Sequence, residues 1–109
     1  GITKAIGDVL AYNQRNKTHW AIEVETKTLG EVEEAVQFPI QRIMLDNMPP
    51  AEMARCVALI AKRCEVEASG GVTLDSVKAI AETGVDFISI GALTHSAPAM
   101  DVSLLVDYH

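Results

Sequence analysis

The 109-residue sequence predicts an α/β fold built of consecutive parallel βα units. Three observations predict it. Segments with apolar residues at helical spacing alternate with short apolar segments of strand character. Proline and glycine stand at the joints between them. No stretch has the composition of a linker, a low-complexity tract or a charge block, so residues 1–109 read as one unit. Strands alternating with helices imply parallel pairing, with right-handed crossovers that place the helices on the outer side.

Ile2, Ile6, Val9 and Leu10 recur at helical spacing, which predicts a helix over residues 2–15, ended by the polar run 13–17. Residues 20–25 (Trp20 to Glu25) alternate as a strand. Leu29, Val32 and Val36 mark a second helix over 29–38, which Pro39 cannot continue. Residues 42–46 form a short apolar strand. Pro50 suits the first position of a third helix, with Met53, Val57 and Ile60 as its buried stripe. Residues 66–69 are the third strand and Gly70-Gly71 the turn after it. Thr73 caps a fourth helix whose stripe is Leu74, Val77 and Ile80, with Gly84 as its C-cap. Residues 87–90 are the fourth strand, and a short helix is expected near 93–97. Leu104-Leu105-Val106 fits either a last strand or a terminal helix.

Composition narrows the function. The net charge of −6 argues against a nucleic-acid partner, which calls for clustered Lys and Arg. It leaves room for an anionic small molecule, because local dipoles and metals outweigh net charge. The two cysteines, Cys56 and Cys64, form no metal-ligand spacing and read as free thiols packed as small hydrophobes. No apolar run is long enough to cross a bilayer, and no membrane partner is expected. No signal-peptide pattern opens the given sequence, and a cytoplasmic location is the expectation. Gly1-Ile2-Thr3-Lys4 enters a helical pattern with no initiator Met, which reads as the boundary of a piece of a longer chain.

Strand alternation locates the candidate site. Ile22 and Val24, Ile43 and Leu45, Val66 and Ala68, and Ile88 and Ile90 share the face that suits a helical layer. The other face holds Glu23, Glu25, Asp46, Glu67, Ser69 and Ser89. Buried carboxylates are costly unless paired, and an open sheet with one solvated face would produce the same alternation. Yet Glu25, Asp46, Ser69 and Gly91 each end a strand, at the rim where barrel and open α/β enzymes carry their sites. Two carboxylates there suit Mg²⁺, which takes one or two protein carboxylates plus substrate phosphates. Glu25 and Asp46 are therefore the candidate metal ligands and catalytic groups. Taken singly, each also fits an ordinary strand-end hydrogen bond. Ser69-Gly70-Gly71 reads as a phosphate cradle backed by a helix N-terminus, with Gly91-Ala92 as a second wall. His95 is a phosphate donor or proton-transfer group on one reading and a capping residue on the other. Trp20 and Phe87 read as packing residues, and Lys27, Arg42 and Lys62 as surface charges.

At these residues the sequence resembles the quinolinate phosphoribosyltransferase family. The matching stretches are Ile22-Glu23-Val24-Glu25, Ile43-Met44-Leu45-Asp46-Asn47-Met48, Glu67 to Leu74, Ala81 to Ser89 and Gly91 to Ser96, in order and at fitting spacing. The resemblance implies a partial TIM-like barrel, preceded in longer relatives by an N-terminal α/β sandwich and usually dimeric. It implies transfer of phosphoribose from phosphoribosyl pyrophosphate to quinolinate with Mg²⁺, loss of CO2, and a place in NAD synthesis. Glu25 and Asp46 then resemble the acidic pair that orders metal and ribose. Ser69, Gly70, Gly71, Gly91 and His95 resemble the phosphate-binding set. A homodimer or higher homo-oligomer is implied.

Two departures stand out. Phe38-Pro39-Ile40 replaces a small-residue turn, and Pro49 replaces a capping Ser or Thr, a loss typically of about 1 kcal/mol. The basic residues that would hold quinolinate are expected upstream of Gly1, so the chain alone is expected to be inactive. Another sugar-phosphate barrel and a non-catalytic half-barrel scaffold, self-associating through its open sheet edges, are the alternative readings.

Overall fold

The computed structural model describes residues 1–92 and 100–105, with side chains described up to Ile90. The elements in order are α1 (Ile2–Asn16), β1 (Glu23–Thr26), α2 (Leu29–Ala35), β2 (Arg42–Asp46), α3 (Pro50–Ile60), β3 (Glu65–Ser69), α4 (Val77–Ala81), β4 (Phe87–Ala92) and β5 (Met100–Leu105). The polar run ends α1 as expected: Lys17 turns left-handed at φ 55° and its N–H donates to the Asn13 carbonyl. Thr28 caps α2 by accepting the Glu31 N–H at 3.1 Å, and Glu31 reaches back to accept the Lys27 N–H at 2.7 Å. Pro50 opens α3, and Pro49 before it supplies no side-chain cap.

The sheet order is β1-β2-β3-β4-β5. The first four strands pair in parallel, and β5 runs antiparallel to β4. Strand order that follows chain order has no reversal and so no switch point of the doubly wound kind. It is the sequential winding of a barrel wall. Leu104 and Leu105 are thereby settled as strand, Val106 lies outside the described residues, and the parallel βα repeat holds for β1 to β4. The short helix expected near 93–97 lies outside the described residues.

The apolar strand face packs as the alternation predicts. Ile43, Leu45, Val66, Ala68 and Ile88 are buried with Val32 and Ala35 of α2, Met53, Cys56 and Ile60 of α3, Ile80 of α4 and Ile6 of α1. Cys56 is buried and Cys64 half-buried, both as free thiols. Burial holds both thiols above the ordinary cysteine range, which keeps them protonated at neutral pH.

Several boundaries differ from the sequence reading: β1 runs one residue past Glu25 to Thr26, β4 continues to Ala92, and three other shifts change the surroundings of a residue. The first strand begins at Glu23, not Trp20. Trp20 instead stacks on Tyr12 at 4.7 Å and remains 58% exposed, so it packs on the surface rather than in the core. The second helix stops at Ala35, where the Phe38 N–H closes a turn onto the Ala35 carbonyl at 3.2 Å ahead of Pro39. The fourth helix starts at Val77, not Thr73. Thr73 and Ser76 hydroxyls each accept the other's backbone N–H, at 3.2 and 3.0 Å, and the Val77 N–H donates to the Thr73 carbonyl at 3.0 Å, so Thr73 caps the turn that leads into α4, as expected. Leu74 is left outside the stripe at 81% exposure.

Candidate active site

Register alone places the two acids together. Glu25 of β1 pairs with Met44 of β2, and Asp46 lies two residues beyond Met44 on the same face. Asp46 in turn pairs with Ser69 of β3. Glu25 is exposed, while Asp46 and Ser69 are half-buried. The strand ends thus present both carboxylates and the start of the glycine turn at one mouth.

The glycine turn is shaped by close approach. Gly70 and Gly71 have φ of 79° and 64°, a region that L side chains rarely adopt. A methyl group on Gly70 would overlap Asp46 Oδ1 and lie 3.0 Å from the Asn47 backbone nitrogen. A methyl on Gly71 would lie 2.9 Å from Asn47 Oδ1. The Asn47 N–H also donates to the Ser69 carbonyl at 2.8 Å. The ends of β2 and β3 are therefore one interlocked loop pair, with the Asp46 carboxylate directly against Gly70. Replacing Gly70 by Ala is expected to cost roughly 2 kcal/mol in unfolding free energy, from left-handed strain plus the 3.0 Å approach to the Asn47 backbone nitrogen, which cannot swing aside as the Asp46 carboxylate can. Gly71→Ala should cost less, because the atom in its way is the end of a movable side chain. Chemical denaturation of the two variants checks the order, and equal or reversed losses would contradict it.

The expected helix dipole behind this turn is not there. Helix α4 has five residues and begins six positions after Gly71. The exposed backbone of Gly70 and Gly71 is what remains to meet an anion. Gly91 lies inside β4, paired with Asp101 of β5, rather than in a turn after the strand. By alternation it shares the face of Ser89. His95 lies outside the described residues.

Glu67 and Ser89 lie on the polar face as the alternation predicts, and the structure adds the network that pairs them. Glu67 is 5% exposed and accepts from Arg42 Nη1 at 3.1 Å and from the Ser89 hydroxyl at 2.8 Å. Arg42 also reaches Glu65 at 3.4 Å and stacks its guanidinium 4.0 Å from the Phe87 ring centroid. Arg42 is thus no surface charge, and Phe87 is its platform. The signal was present: Arg42, Met44 and Asp46 alternate onto one face. The network joins β2, β3 and β4 as a floor beneath the mouth: Glu67 and Ser89 stand two residues before Ser69 and Gly91, and Arg42 four residues before Asp46. Asn47 also stands at the mouth, at φ 55°, and the signal for it is that Asn is among the residues that best tolerate a left-handed position after a strand.

Among the described residues no three His, Cys, Asp or Glu side chains are grouped as a metal cage. Two carboxylates at a mouth fit a cation that takes its remaining ligands from phosphates and water. A cleft of about 590 Å³ lies at the other end of the sheet, lined by Gln41, Lys62, Arg63, Glu65 and Asp86 among others. It contains none of the predicted site residues.

A sequentially wound parallel sheet, with acids and a glycine turn at its C-terminal ends, defines a protein of the α/β-barrel class. Comparison with known proteins carries this to a family. The model for the quinolinate phosphoribosyl transferase C-terminal domain matches residues 1–105, and the chain belongs to that family. It is 43% identical to quinolinate phosphoribosyltransferase [decarboxylating] 1b of Nicotiana tabacum, over 98% of this chain and 35% of the relative. It is 48% identical to a probable nicotinate-nucleotide pyrophosphorylase [carboxylating] of a Synechocystis strain, over 79% of this chain and 30% of the relative. Among solved structures, a NadC deletion mutant superposes with a TM-score of 0.77 at 31% identity, covering 100% of this chain and 38% of that one. The nicotinate-nucleotide pyrophosphorylase of Francisella tularensis gives 0.76 at 34% identity, covering 93% of this chain and 35% of that one. The chain spans about a third of the length of these relatives. No helix among the described residues is long and apolar enough to cross a membrane.

Proposed function

We propose that the protein carrying this chain transfers phosphoribose from phosphoribosyl pyrophosphate to quinolinate and releases pyrophosphate and CO2, giving nicotinate mononucleotide for NAD synthesis. The observation that carries the reading is the contact of Asp46 with Gly70, which sets a carboxylate beside a backbone anion cradle. In the first step the pyridine nitrogen of quinolinate bonds to the anomeric carbon as its bond to pyrophosphate breaks. Positive charge builds on the ribose ring, and Glu25 and Asp46 face it with fixed negative charge. In the second step the carboxylate next to the quaternised nitrogen leaves as CO2. Its bonding electrons remain on the ring carbon, which then takes a proton.

Glu25 and Asp46 would also hold Mg²⁺ and the ribose hydroxyls. When bound, the metal supplies neutralisation of the leaving pyrophosphate's charge. Ser69, Gly70 and Gly71, with Gly91 and His95, would hold the sugar's phosphate. The Arg42–Glu67–Ser89 floor keeps three strand ends at fixed relative height. A cytoplasmic location fits two free thiols, although relatives named mitochondrial and chloroplastic exist.

The test is an assay of the full-length protein for nicotinate mononucleotide from quinolinate and phosphoribosyl pyrophosphate, with and without Mg²⁺. Magnesium-dependent product is expected, and product formed equally well in chelator would overturn the metal's part. Residues 1–109 alone are expected to form no product and to self-associate in sedimentation. Turnover by a compact monomer of this segment would contradict both.

A further inference from the structure

We infer that Asn47 is a ligand-binding residue of the mouth, donating its carboxamide N–H to the phosphate of the sugar phosphate held at Gly70–Gly71. The inference rests on the phosphoribosyl reading above and adds to it a residue outside the acid pair and the glycine turn. Three observations carry it.

The first is conformation. Asn47 sits at φ 55°, one of four non-glycine residues with positive φ among those described. Such a conformation costs about 1–2 kcal/mol for most L residues. It is fixed here by the Asn47 N–H donating to the Ser69 carbonyl at 2.8 Å. The second is placement. The left-handed turn brings the side chain over the glycine cradle, with its Oδ1 2.9 Å from where a Gly71 methyl would sit. The third is that the carboxamide is exposed and makes no hydrogen bond to another described residue. A side chain recruited only for its backbone needs no amide. Glycine would meet the φ requirement at no steric cost.

The chemistry fits one class of ligand. Beside Gly70 stands the Asp46 carboxylate, which repels an anion unless donors or a cation offset it. The cradle's own donors are backbone N–H groups. A carboxamide beside Gly71 adds a neutral donor. It brings no positive charge to compete for the acid pair, so Asp46 remains available to the ribose or a cation. Rotating the carboxamide by 180° exchanges its oxygen for its NH2 group within the same volume.

The test uses the full-length protein with ribose 5-phosphate as the calorimetric probe and phosphoribosyl pyrophosphate as the kinetic one. Asn47→Gly keeps the backbone conformation and removes the amide. Asn47→Asp keeps the shape and left-handed tolerance and replaces a donor with a negative charge. Loss of one hydrogen bond to a charged ligand predicts about 10–100-fold weaker binding for Asn47→Gly. Asn47→Asp should bind more weakly still. KM for phosphoribosyl pyrophosphate should rise with kcat held within about threefold, and melting temperatures should stay near wild type. Wild-type ribose 5-phosphate affinity in either stably folded variant overturns the role of Asn47 alone. Should Asn47→Gly lose stability, the Asn47→Asp result decides. Failure of the unsubstituted protein to bind ribose 5-phosphate overturns the cradle itself, and the role of Asn47 with it.

Discussion

Asp46→Asn in the full-length protein is expected to lower kcat/KM for phosphoribosyl transfer by about 10³-fold while leaving the fold intact. The magnitude is that of removing one preorganised group aimed at charge that develops in the transition state, about 10²–10³-fold, with loss of a metal ligand added. Asparagine has the shape of aspartate and keeps its contact with Gly70, so what changes is charge. Asp46 makes no ion pair among the described residues, and its removal strands no buried cation. A melting temperature close to wild type is therefore part of the expectation. Glu25→Gln should lose less, about 10²-fold. Glu25 is exposed, and water already offsets part of its field. Steady-state kinetics with melting curves on the same preparations give both readouts. An Asp46→Asn enzyme within tenfold of wild type would remove Asp46 from the chemistry.

The acid pair was legible because two local rules agreed on it. Period-two alternation put Glu25 and Asp46 on the polar face, and strand ends put them at the rim. Both need only residues a few positions apart. The floor under the site was not legible for the opposite reason. Arg42, Glu67 and Ser89 lie on three strands, and what joins them is register. The pairings of Arg42 with Glu65 and of Glu67 with Phe87 are set by turn lengths and helix packing, not by any local pattern. Read locally, an arginine next to a proline-ended helix is a surface charge. The cap of the fourth helix is legible for the same local reason as the acid pair, since Thr73 and Ser76 satisfy each other's N–H three residues apart. Its length is not, because the regular helix runs only from Val77 to Ala81. The Gly70–Gly71 turn was seen as a turn. That its tightness is enforced by Asp46 and Asn47 of another strand is tertiary information, and it is what converts a common dipeptide into part of a site.

Arg42→Met should destabilise the protein by about 3 kcal/mol, the largest stability loss expected of any single polar change here. Removing one member of a buried ion pair costs about 3–5 kcal/mol because the other charge is left without compensation. The Glu67 side chain is 7% exposed, so water cannot replace Arg42, whose own side chain is 28% exposed. Ser89 remains as one neutral donor to Glu67, which moderates the loss. The contact with the Phe87 ring at 4.0 Å is lost as well, worth about 0.5–2 kcal/mol. Arg42→Lys should fall between. It keeps a charge, but one ammonium cannot reproduce a fork whose Nη1 meets Glu67 while Nη2 meets Glu65. The decisive variant is the double replacement Arg42→Met with Glu67→Leu. An uncharged floor has no stranded carboxylate, so the double variant should recover most of the stability lost by Arg42→Met. If the floor also sets the heights of the strand ends, the double variant should be stable yet have a raised KM for phosphoribosyl pyrophosphate. Stability is read by denaturant unfolding, and coupling by the double-mutant cycle. An Arg42→Met loss below about 0.5 kcal/mol, or strict additivity in the cycle, would show that the two charges do not depend on each other.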